Sequence, residues 1–350
     1  MTNFAVKVRY PVLFQHVHWF SFYIFRGEFM KKYRWLLPLV YLLFTACGSD
    51  VTNPTTSTDQ TSNSTALLAE SGVNCIAIDG NAVYAGTNSD GVFLSTDNGK
   101  TWVKRSKGLI SNSNINTIAI NGSNMFAGSI FGLFYSSDSG KTWSPKPISS
   151  LYYGSYNVNA IGIRGNNIYV LSSIGGIQLS TDSGNSWTKK SDGTMTIGYS
   201  IVFNLDTVYV ASYGGGGGVF KSTDNGNNWI AKYKGLGSSG IGPLVIYKDV
   251  IYAGTRDQGV YVSANYGDTW SKKNVGIEKT IVRAIVATQD KIIIGTYGDG
   301  IYVSKDGGDT WTARDLGIGN RFITSLGMSG NNLYIGTDGA GVFRANVSDL

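Results

Sequence analysis

Four aspartates are the carboxylates best placed for chemistry, because each follows a strand-like run by a few residues. They are Asp90, Asp257, Asp299 and Asp338. Two carboxylates that flank a glycosidic bond are the groups that a glycoside hydrolase requires. Aromatic and arginine side chains in the same kind of loop, among them Tyr213, Tyr297 and Arg256, instead suit recognition of a sugar or a protein loop.

Other kinds of catalysis are disfavoured by the residue types that this sequence lacks. The two histidines are His16 and His18, so the chain beyond residue 29 has neither the commonest general base nor the commonest metal ligand. The two cysteines, Cys47 and Cys75, form no cluster, and no glycine-rich phosphate loop stands between a strand and a helix. We therefore expect no metal, no cofactor and no catalysis, with glycoside hydrolysis as the remaining enzymatic alternative.

A repeated motif determines where these loops fall. The pattern Ser-x-Asp-x-Gly-x-(Thr/Ser/Asn)-Trp occurs six times, and its tryptophans are separated by 41, 44, 42, 41 and 41 residues. A period of about 40 residues, with short strand-like runs between turn residues, is typical of the four-stranded blade of a β-propeller. The tryptophans are Trp102, Trp143, Trp187, Trp229, Trp270 and Trp311.

Each copy of the motif predicts a hairpin turn. Its glycine, such as Gly99, supplies the positive φ that a tight turn needs, and its aspartate accepts local backbone N–H groups. The tryptophan opens the returning strand and is expected to fill the space between neighbouring blades. The third position of the motif holds Asp97, Asp138, Asp182, Asp224, Asn265 and Asp306. These residues predict a structural role and not a catalytic one.

The six copies resemble Asp-box (BNR-type) repeats, which occur in sialidases, sortilin, xyloglucanases and the photosystem II assembly-factor family. The resemblance covers about residues 73 to 345 and implies a β-propeller whose boxes lie at the outer turns of the blades, away from ligands. It does not extend to sialidase chemistry: no arginine lies between Trp35 and Lys104, and Glu278 is the single glutamate after Glu70. Xyloglucanases form their cleft between two propellers, whereas this sequence predicts one. The assembly-factor family is more similar in architecture and implies binding of a partner protein.

The second strands of the repeats align to give seven units, so the sequence predicts an all-β, seven-bladed propeller of four-stranded antiparallel blades over residues 65–350. The seventh unit lacks an Asp box and reaches only a third strand before the sequence ends. A propeller must close its ring, since an unpaired strand edge promotes aggregation. We expect the apolar segment 65–70 to supply the missing outer strand of the seventh blade.

Propeller geometry predicts one face that carries both the loops between second and third strands and the segments leading into each first strand. The residues heading the first strands include Asn74, Asn116, Asn159, Tyr199, Arg283 and Thr324. The longest segment before a first strand brings three tyrosines together, Tyr152, Tyr153 and Tyr156. With Asp90, Tyr213, Arg256, Asp257, Tyr297, Asp299 and Asp338, these residues form the predicted face for a ligand or partner.

The N-terminal part of the sequence predicts export. Residues 30–47 contain a basic start, a short apolar run and the sequence Phe-Thr-Ala-Cys, which resembles a bacterial lipobox with Cys47 as the lipidated residue. Gly48 favours the outer membrane, and residues 48–64 predict a flexible, polar tether. Residues 1–29 are interpreted as an over-extended start. Since residues 1–47 carry +5 of the total charge of +6, the remaining chain has little net charge and nucleic-acid binding is not expected.

These features together predict a monomeric, non-catalytic lipoprotein of the bacterial cell envelope, on a periplasmic or an outward-facing surface. It is attached to the membrane through its lipid, and one face of its propeller binds a protein partner, as a scaffold or assembly factor for a membrane complex. The alternative is a carbohydrate-binding or glycoside-hydrolase-like propeller that uses its tyrosines as stacking surfaces.

Overall fold

The computed structural model describes residues 71–148, 157–173, 175–191, 198–213, 217–237 and 240–350. These residues form seven antiparallel sheets, each built from consecutive strands of the chain. Six sheets have four strands and the seventh has three among the described residues. This arrangement confirms the seven-bladed propeller. No helix in the described ranges is long and apolar enough to cross a membrane.

The strands of the first four blades are as follows. Blade 1 contains β1 (Val73–Asp79), β2 (Ala82–Thr87), β3 (Val92–Ser95) and β4 (Val103–Lys104). Blade 2 contains β5 (Ile115–Asn121), β6 (Asn124–Ser129), β7 (Gly132–Ser136) and β8 (Ser144–Lys146). Blade 3 contains β9 (Val158–Arg164), β10 (Asn167–Ser172), β11 (Gly176–Ser180) and β12 (Thr188–Lys189). Blade 4 contains β13 (Gly198–Asn204), β14 (Thr207–Ser212), β15 (Gly218–Ser222) and β16 (Ile230–Lys232).

The remaining three blades complete the ring. Blade 5 contains β17 (Ile241–Tyr247), β18 (Val250–Thr255), β19 (Val260–Ser263) and β20 (Ser271–Lys272). Blade 6 contains β21 (Val282–Ala287), β22 (Ile292–Thr296), β23 (Ile301–Ser304) and β24 (Thr312–Arg314). Blade 7 contains β25 (Ile323–Ser329), β26 (Asn332–Thr337) and β27 (Val342–Asn346), followed by a short 3-10 turn at Val347–Asp349. The predicted closing strand, residues 65–70, lies outside the described residues.

The Asp-box turn is held by a repeated set of hydrogen bonds. In the first box, Ser95 Oγ donates to Asp97 Oδ1 at 2.8 Å and accepts the backbone N–H of Gly99 at 2.8 Å. Asp97 also accepts the backbone N–H of Thr101 at 2.9 Å and its hydroxyl at 2.5 Å. Both Asn98 and Gly99 have positive φ, 59° and 80°. The glycine conformation is therefore confirmed, and the preceding residue shares it, as a tight hairpin turn requires.

Asn265 shows how the turn tolerates a neutral side chain. Its amide oxygen accepts from Ser263 Oγ and from the backbone N–H of Thr269, each at 2.9 Å, as the carboxylate does elsewhere. Its amide nitrogen donates to Thr269 Oγ1 at 2.8 Å, so the hydroxyl changes from donor to acceptor. A threonine hydroxyl can serve in either role, and the turn keeps its geometry.

The box carboxylates predict a loss of stability in acid. The hydroxyl of Thr101 is the largest of the hydrogen-bonding influences that lower the pKa of Asp97 from 3.8 to about 2. Because the folded-state pKa lies below the unfolded value, the contribution to stability is fully present above about pH 4 and is lost as pH falls toward about 2. Asp138, Asp182, Asp224 and Asp306 also have a pKa of about 2.

We expect Asp97→Asn, which copies the natural Asn265 turn, to flatten this acid dependence. The measurement is the free energy of unfolding by denaturant at several pH values between 5 and 2, for the variant and the wild type. The variant should lose less stability than the wild type as the pH falls. Two parallel pH profiles would contradict the assignment of the acid sensitivity to the boxes.

The tryptophans pack between blades, as the sequence predicts. Trp143 is buried in a cluster that also contains Tyr84 and Val92 of blade 1 and Ile118 and Phe134 of blade 2. Its indole Nε1 donates to the backbone oxygen of Arg105, in the chain segment that leaves blade 1, at 2.7 Å. Trp229, Trp270 and Trp311 make the same bond to the preceding blade, to Lys190, Lys232 and Lys273. In these four boxes the indole therefore joins neighbouring blades by packing and by a hydrogen bond.

Blades 7 and 1 meet through contacts that close the ring. Tyr334 of blade 7 is buried in one cluster with Val73 and Trp102 of blade 1. Arg344 Nη1 donates to the backbone oxygen of Asn98, within the first box, at 3.0 Å. The first and last described blades are thus directly packed against each other.

Candidate functional site

One end of the propeller, which we call the mouth face, brings together the two sets of loops predicted from the sequence. The backbone N–H of Asn88, after β2, donates to the oxygen of Gly72, before β1, at 2.9 Å. The same pairing joins Arg256 to Gly240 at 3.3 Å and Asp338 to Phe322 at 2.9 Å. The Asp boxes follow the third strands and lie at the opposite end.

A β-bulge lies at the head of the first strand in every blade. In blade 1, Val73 pairs with Thr87 and Cys75 with Gly86, which leaves Asn74 without a partner in the ladder. The corresponding extra residues of the other blades are Asn116, Asn159, Tyr199, Gly242 with Pro243, Arg283 and Thr324. Bulges release a residue from regular pairing and redirect its side chain, and they are common beside functional sites.

Three of the bulge residues link neighbouring blades. Asn74 Nδ2 donates to the backbone oxygen of Ile115, which precedes the bulge of blade 2, at 3.2 Å, and to Asn114 Oδ1 at 2.7 Å. Asn116 repeats both bonds to blade 3, with 3.0 Å to the oxygen of Val158. Thr324 Oγ1 donates to the oxygen of Val73 and so links blade 7 to blade 1.

The structure therefore gives these predicted face residues a role in joining blades. Asn159 departs from the pattern, because its amide donates within blade 3, to Ser173 Oγ at 3.4 Å.

Blades 4 to 6 carry a different set of side chains at the mouth face. Arg256 lies against two tyrosine rings, with its guanidinium carbon 5.1 Å from the ring centre of Tyr199 and 4.4 Å from that of Tyr213. The two rings meet edge to face at 6.0 Å. Such cation–π contacts contribute about 0.5–2 kcal/mol each and fix a flexible arginine in one orientation.

Arg283 forms a second cation–π pair beside the first. Its guanidinium carbon lies 5.2 Å from the ring centre of Tyr297, whose hydroxyl donates to Asp338 Oδ2 at 3.1 Å. Desolvation lowers the pKa of Arg283 and the positive charge of Arg256 lowers it further, whereas Tyr199, Tyr297 and Asp338 act to raise it. Burial and the Asp338 carboxylate raise the pKa of Tyr297, which keeps its phenol protonated. We call Tyr199, Tyr213, Arg256, Arg283 and Tyr297 the arginine–tyrosine sector.

A small cavity of about 150 Å³ opens within this sector. Gly242 and Pro243 form part of its wall, with Tyr199, Arg256, Val282 and Arg283 around them. The cavity coincides with the one bulge whose first residue has no side chain. The sequence does not predict this cavity, because a single glycine gives no sign of a bulge or of an open space.

The four candidate aspartates lie in four different blades of the mouth face. Asp90 accepts hydrogen bonds from Ser71 and Ser89 and lies 3.9 Å from the amine of Lys104. The bond from Ser71 is the main cause that lowers the pKa of Asp90, whereas the general acid of a glycosidase needs a raised pKa. The Asp338 carboxylate accepts a hydrogen bond from the Tyr297 hydroxyl. The backbone N–H of Asp299 donates to Thr296 Oγ1 at 3.2 Å. Asp257 is exposed.

Tyr152, Tyr153 and Tyr156 lie outside the described residues, as does Cys47. Phe322, which the sequence analysis did not single out, packs against Tyr297 at 4.8 Å between ring centres and is 45% exposed. Burial raises the pKa of the Cys75 thiol to about 12, so this thiol is unreactive. No cluster of three or more His, Cys, Asp or Glu side chains in the described ranges is arranged to hold a metal ion.

The fold and its boxes define the class of protein: the chain is a seven-bladed β-propeller with Asp-box repeats. The model of the BNR/Asp-box repeat matches residues 93–104, and the model of the DUF6242 β-propeller domain matches residues 189–322. No curated protein has a detectable match to the sequence.

Solved structures with the same fold include binding proteins and enzymes. YCF48 bound to a D1 peptide superposes with a TM-score of 0.67 at 14% identity, over 84% of this chain and 99% of that one. The GH74 xyloglucanase of Xanthomonas campestris also gives 0.67, at 15% identity, over 81% of this chain and 53% of the enzyme. PorZ, a surface component of the type-IX secretion system of Porphyromonas gingivalis, gives 0.64 at 16% identity, over 77% and 46%. At these identities the likeness concerns the fold alone.

Proposed function

We propose that this protein is a non-catalytic lipoprotein of the bacterial cell envelope whose mouth face binds a protein partner. The observation that carries the proposal is the arginine–tyrosine sector, in which Arg256 is held by Tyr199 and Tyr213. Tyrosine and arginine are enriched among the residues that contribute most to protein interfaces. Rings that already fix the arginine reduce the entropy lost on binding.

Exposed apolar side chains extend this surface. Tyr213 and Phe322 are 37% and 45% exposed at the two sides of the sector. Tyr233, in the segment that leads into the first strand of blade 5, is also exposed. Large exposed apolar residues grouped on one face are a property of interaction surfaces. The YCF48 structure bound to a D1 peptide shows that a propeller of this shape can bind a peptide.

The second candidate is a carbohydrate-binding protein. It is favoured by the exposed ring of Tyr213 and by the similarity of the fold to GH74 xyloglucanase. Tyr297 distinguishes the two, because its ring lies next to the Asp338 carboxylate, which can accept hydrogen bonds from sugar hydroxyls. A hydrolytic version of this candidate requires two carboxylates, one of them a general acid with a raised pKa, whereas the pKa of Asp90 is lowered.

The partner-binding proposal predicts a specific crosslinking result. A photoreactive amino acid at position 213, on the mouth face, should capture a defined envelope protein in cells. The same probe at position 205, a residue 89% exposed at the opposite end, should not capture it. Arg256→Ala should weaken binding of the captured protein at least tenfold, whereas Leu205→Ala should leave it unchanged. A glycan array with saturable binding that Tyr297→Ala removes, and no mouth-face crosslink, would replace the proposal by the carbohydrate candidate.

The lipid anchor rests on the lipobox-like sequence that ends at Cys47. Radiolabelled palmitate should be incorporated into the wild type and not into Cys47→Ser. Fractionation should then place the labelled protein in the outer membrane. Label retained by Cys47→Ser would contradict the anchor without affecting the partner-binding proposal.

A further inference from the structure

We propose that Gly242 creates a subsite for a carboxylate group, which a peptide partner supplies as an aspartate or glutamate side chain. The inference rests on the proposed partner binding at the mouth face and names the chemistry that the arginine–tyrosine sector selects. Three observations support it: the missing side chain at the blade 5 bulge, the two adjacent guanidinium groups, and the size of the cavity.

The first observation comes from comparing the bulges. Asn74 and Asn116 each fill the space at the head of their blade and donate to the backbone oxygen just before the next bulge. In blade 5 that position is Gly242, and the equivalent oxygen belongs to Val282. The space that an asparagine fills in blades 1 and 2 is therefore open in blade 5, and it forms the cavity of about 150 Å³.

The second observation concerns charge. Arg256 and Arg283 both line the cavity, and neither forms an ion pair within the described part of the chain. Two guanidinium groups that line one small cavity repel each other, and the Asp338 carboxylate, whose charge acts on Arg283, already accepts a hydrogen bond from Tyr297. A carboxylate placed between them would remove the repulsion and accept charge-assisted hydrogen bonds from both. The tyrosines keep both arginines in place before the anion arrives.

The third observation is the volume. A site for a free small molecule usually has 300–1,000 Å³. A cavity of about 150 Å³ holds the volume of several waters, at roughly 30 Å³ each, or of one carboxylate with its neighbouring methylenes. The cavity therefore fits a single acidic side chain of a larger partner. The exposed Tyr213 beside it then contacts the flanking residues of the same peptide.

Gly242 can be replaced without strain, which makes the proposal testable. A Cβ atom at this position would lie 3.5 Å from the oxygen of Val282 and 3.7 Å from that of Gly254, both ordinary van der Waals distances. The residue is not in the left-handed region, so any side chain is compatible with its backbone. Gly242→Asn should place its amide near the Val282 oxygen, as Asn74 does at Ile115, and so fill the cavity while the blades remain joined.

The test is a titration of the isotope-labelled protein, followed by NMR, with N-acetyl-aspartate amide and its neutral counterpart N-acetyl-asparagine amide. We expect the acidic probe to shift the signals of Gly242, Val282 and the Arg256 side chain in a saturable manner, and to bind at least tenfold more tightly than the neutral probe. Gly242→Asn should weaken the acidic probe at least tenfold without lowering the melting temperature. The matched control is Gly330→Asn, the same substitution at an open turn on the opposite end.

Four outcomes overturn the subsite. The first is equal affinity for the acidic and the neutral probe, and the second is unchanged affinity of Gly242→Asn for the acidic probe. The third is that the NMR signals that shift belong to residues elsewhere on the mouth face. The fourth is that a methyl glucuronide binds more tightly than the acidic probe. If Gly242→Asn does not fold, Arg256→Gln provides the same tenfold comparison. A protein crosslinked at position 213 with no binding of the acidic probe would reject the subsite alone, whereas a missing crosslink would reject the proposed function.

Discussion

Replacing Trp311 with alanine is expected to lower the free energy of unfolding by about 3–5 kcal/mol. The side chain is only 6% exposed and packs among residues of blades 5 and 6, including Tyr252 and Ile294. Its Nε1 also donates to the backbone oxygen of Lys273 at 2.9 Å. The substitution leaves a cavity between two blades and a buried carbonyl without its donor, two effects that add to each other.

Trp187 provides the matched control for this prediction. It occupies the same place in its box but is more exposed, and its Nε1 has no hydrogen-bond partner within the described residues. Trp311→Phe should therefore cost more than Trp187→Phe, because only the first loses a hydrogen bond, worth about 1 kcal/mol. Unfolding in guanidinium chloride measures both differences. Equal losses for the two Phe variants would show that the bond to the preceding blade does not contribute.

The fold was predictable because its main determinant is periodic and local. The Ser, Asp, Gly and Trp of each box are close in sequence, and their interactions within one turn decide its geometry, as the bonds of Asp97 show. The spacing of about 40 residues then defines the blade. Asn98 and Tyr266 were not recognised as positive-φ positions, because the turn imposes that conformation on very different residues. Ring closure by residues 65–70 remains a prediction.

The candidate site was predictable only in part. The rule that second-to-third-strand loops share a face placed Arg256, Tyr213 and Tyr297 together. The same rule does not show which side chains are already used: Asn74 and Asn116 join blades, although an asparagine at a loop is equally suited to a ligand. Phe322 was missed because it reaches Tyr297 from the neighbouring blade, a contact between residues with no motif in common.

The mouth face therefore has two parts whose bulge residues make different contacts. In blades 7, 1 and 2, the bulge side chains donate hydrogen bonds to backbone oxygens of the next blade, and these bonds stabilise the ring. Around blades 4 to 6, the bulge residues are Tyr199, Gly242 and Arg283, and the cation–π pairs and the cavity occur there. Each bulge offers one side chain, so a blade cannot use it both to bond the next blade and to line the arginine–tyrosine sector. The cavity therefore lies in the part of the ring where no bulge asparagine links neighbouring blades.

A second large effect is expected at Gly108, in the segment between blades 1 and 2. Lys107, just before it, accepts the backbone N–H of Trp143 at 2.8 Å, so the two chains run very close together. A Cβ atom at Gly108 would overlap with the carbonyl oxygen of Trp143, and its φ of +93° disfavours other residues. Gly108→Ala should destabilise the fold by roughly 2–5 kcal/mol, from about 1–2 for the backbone conformation and about 1–3 for the overlap.

Gly330→Ala separates these two contributions. Gly330 also has a positive φ, +56°, but a Cβ atom there meets nothing within 4 Å, so only the backbone cost of about 1–2 kcal/mol applies. The larger loss for Gly108→Ala measures the close approach between blades, which repeats at Gly235 against Trp270 and at Gly276 against Trp311. Because backbone atoms cannot move aside as a flexible side chain can, the overlap should also weaken the bond from Trp143 to Lys107. Equal destabilisation by the two variants would mean that the blades can separate at this point without cost, and that the tryptophan alone holds them together.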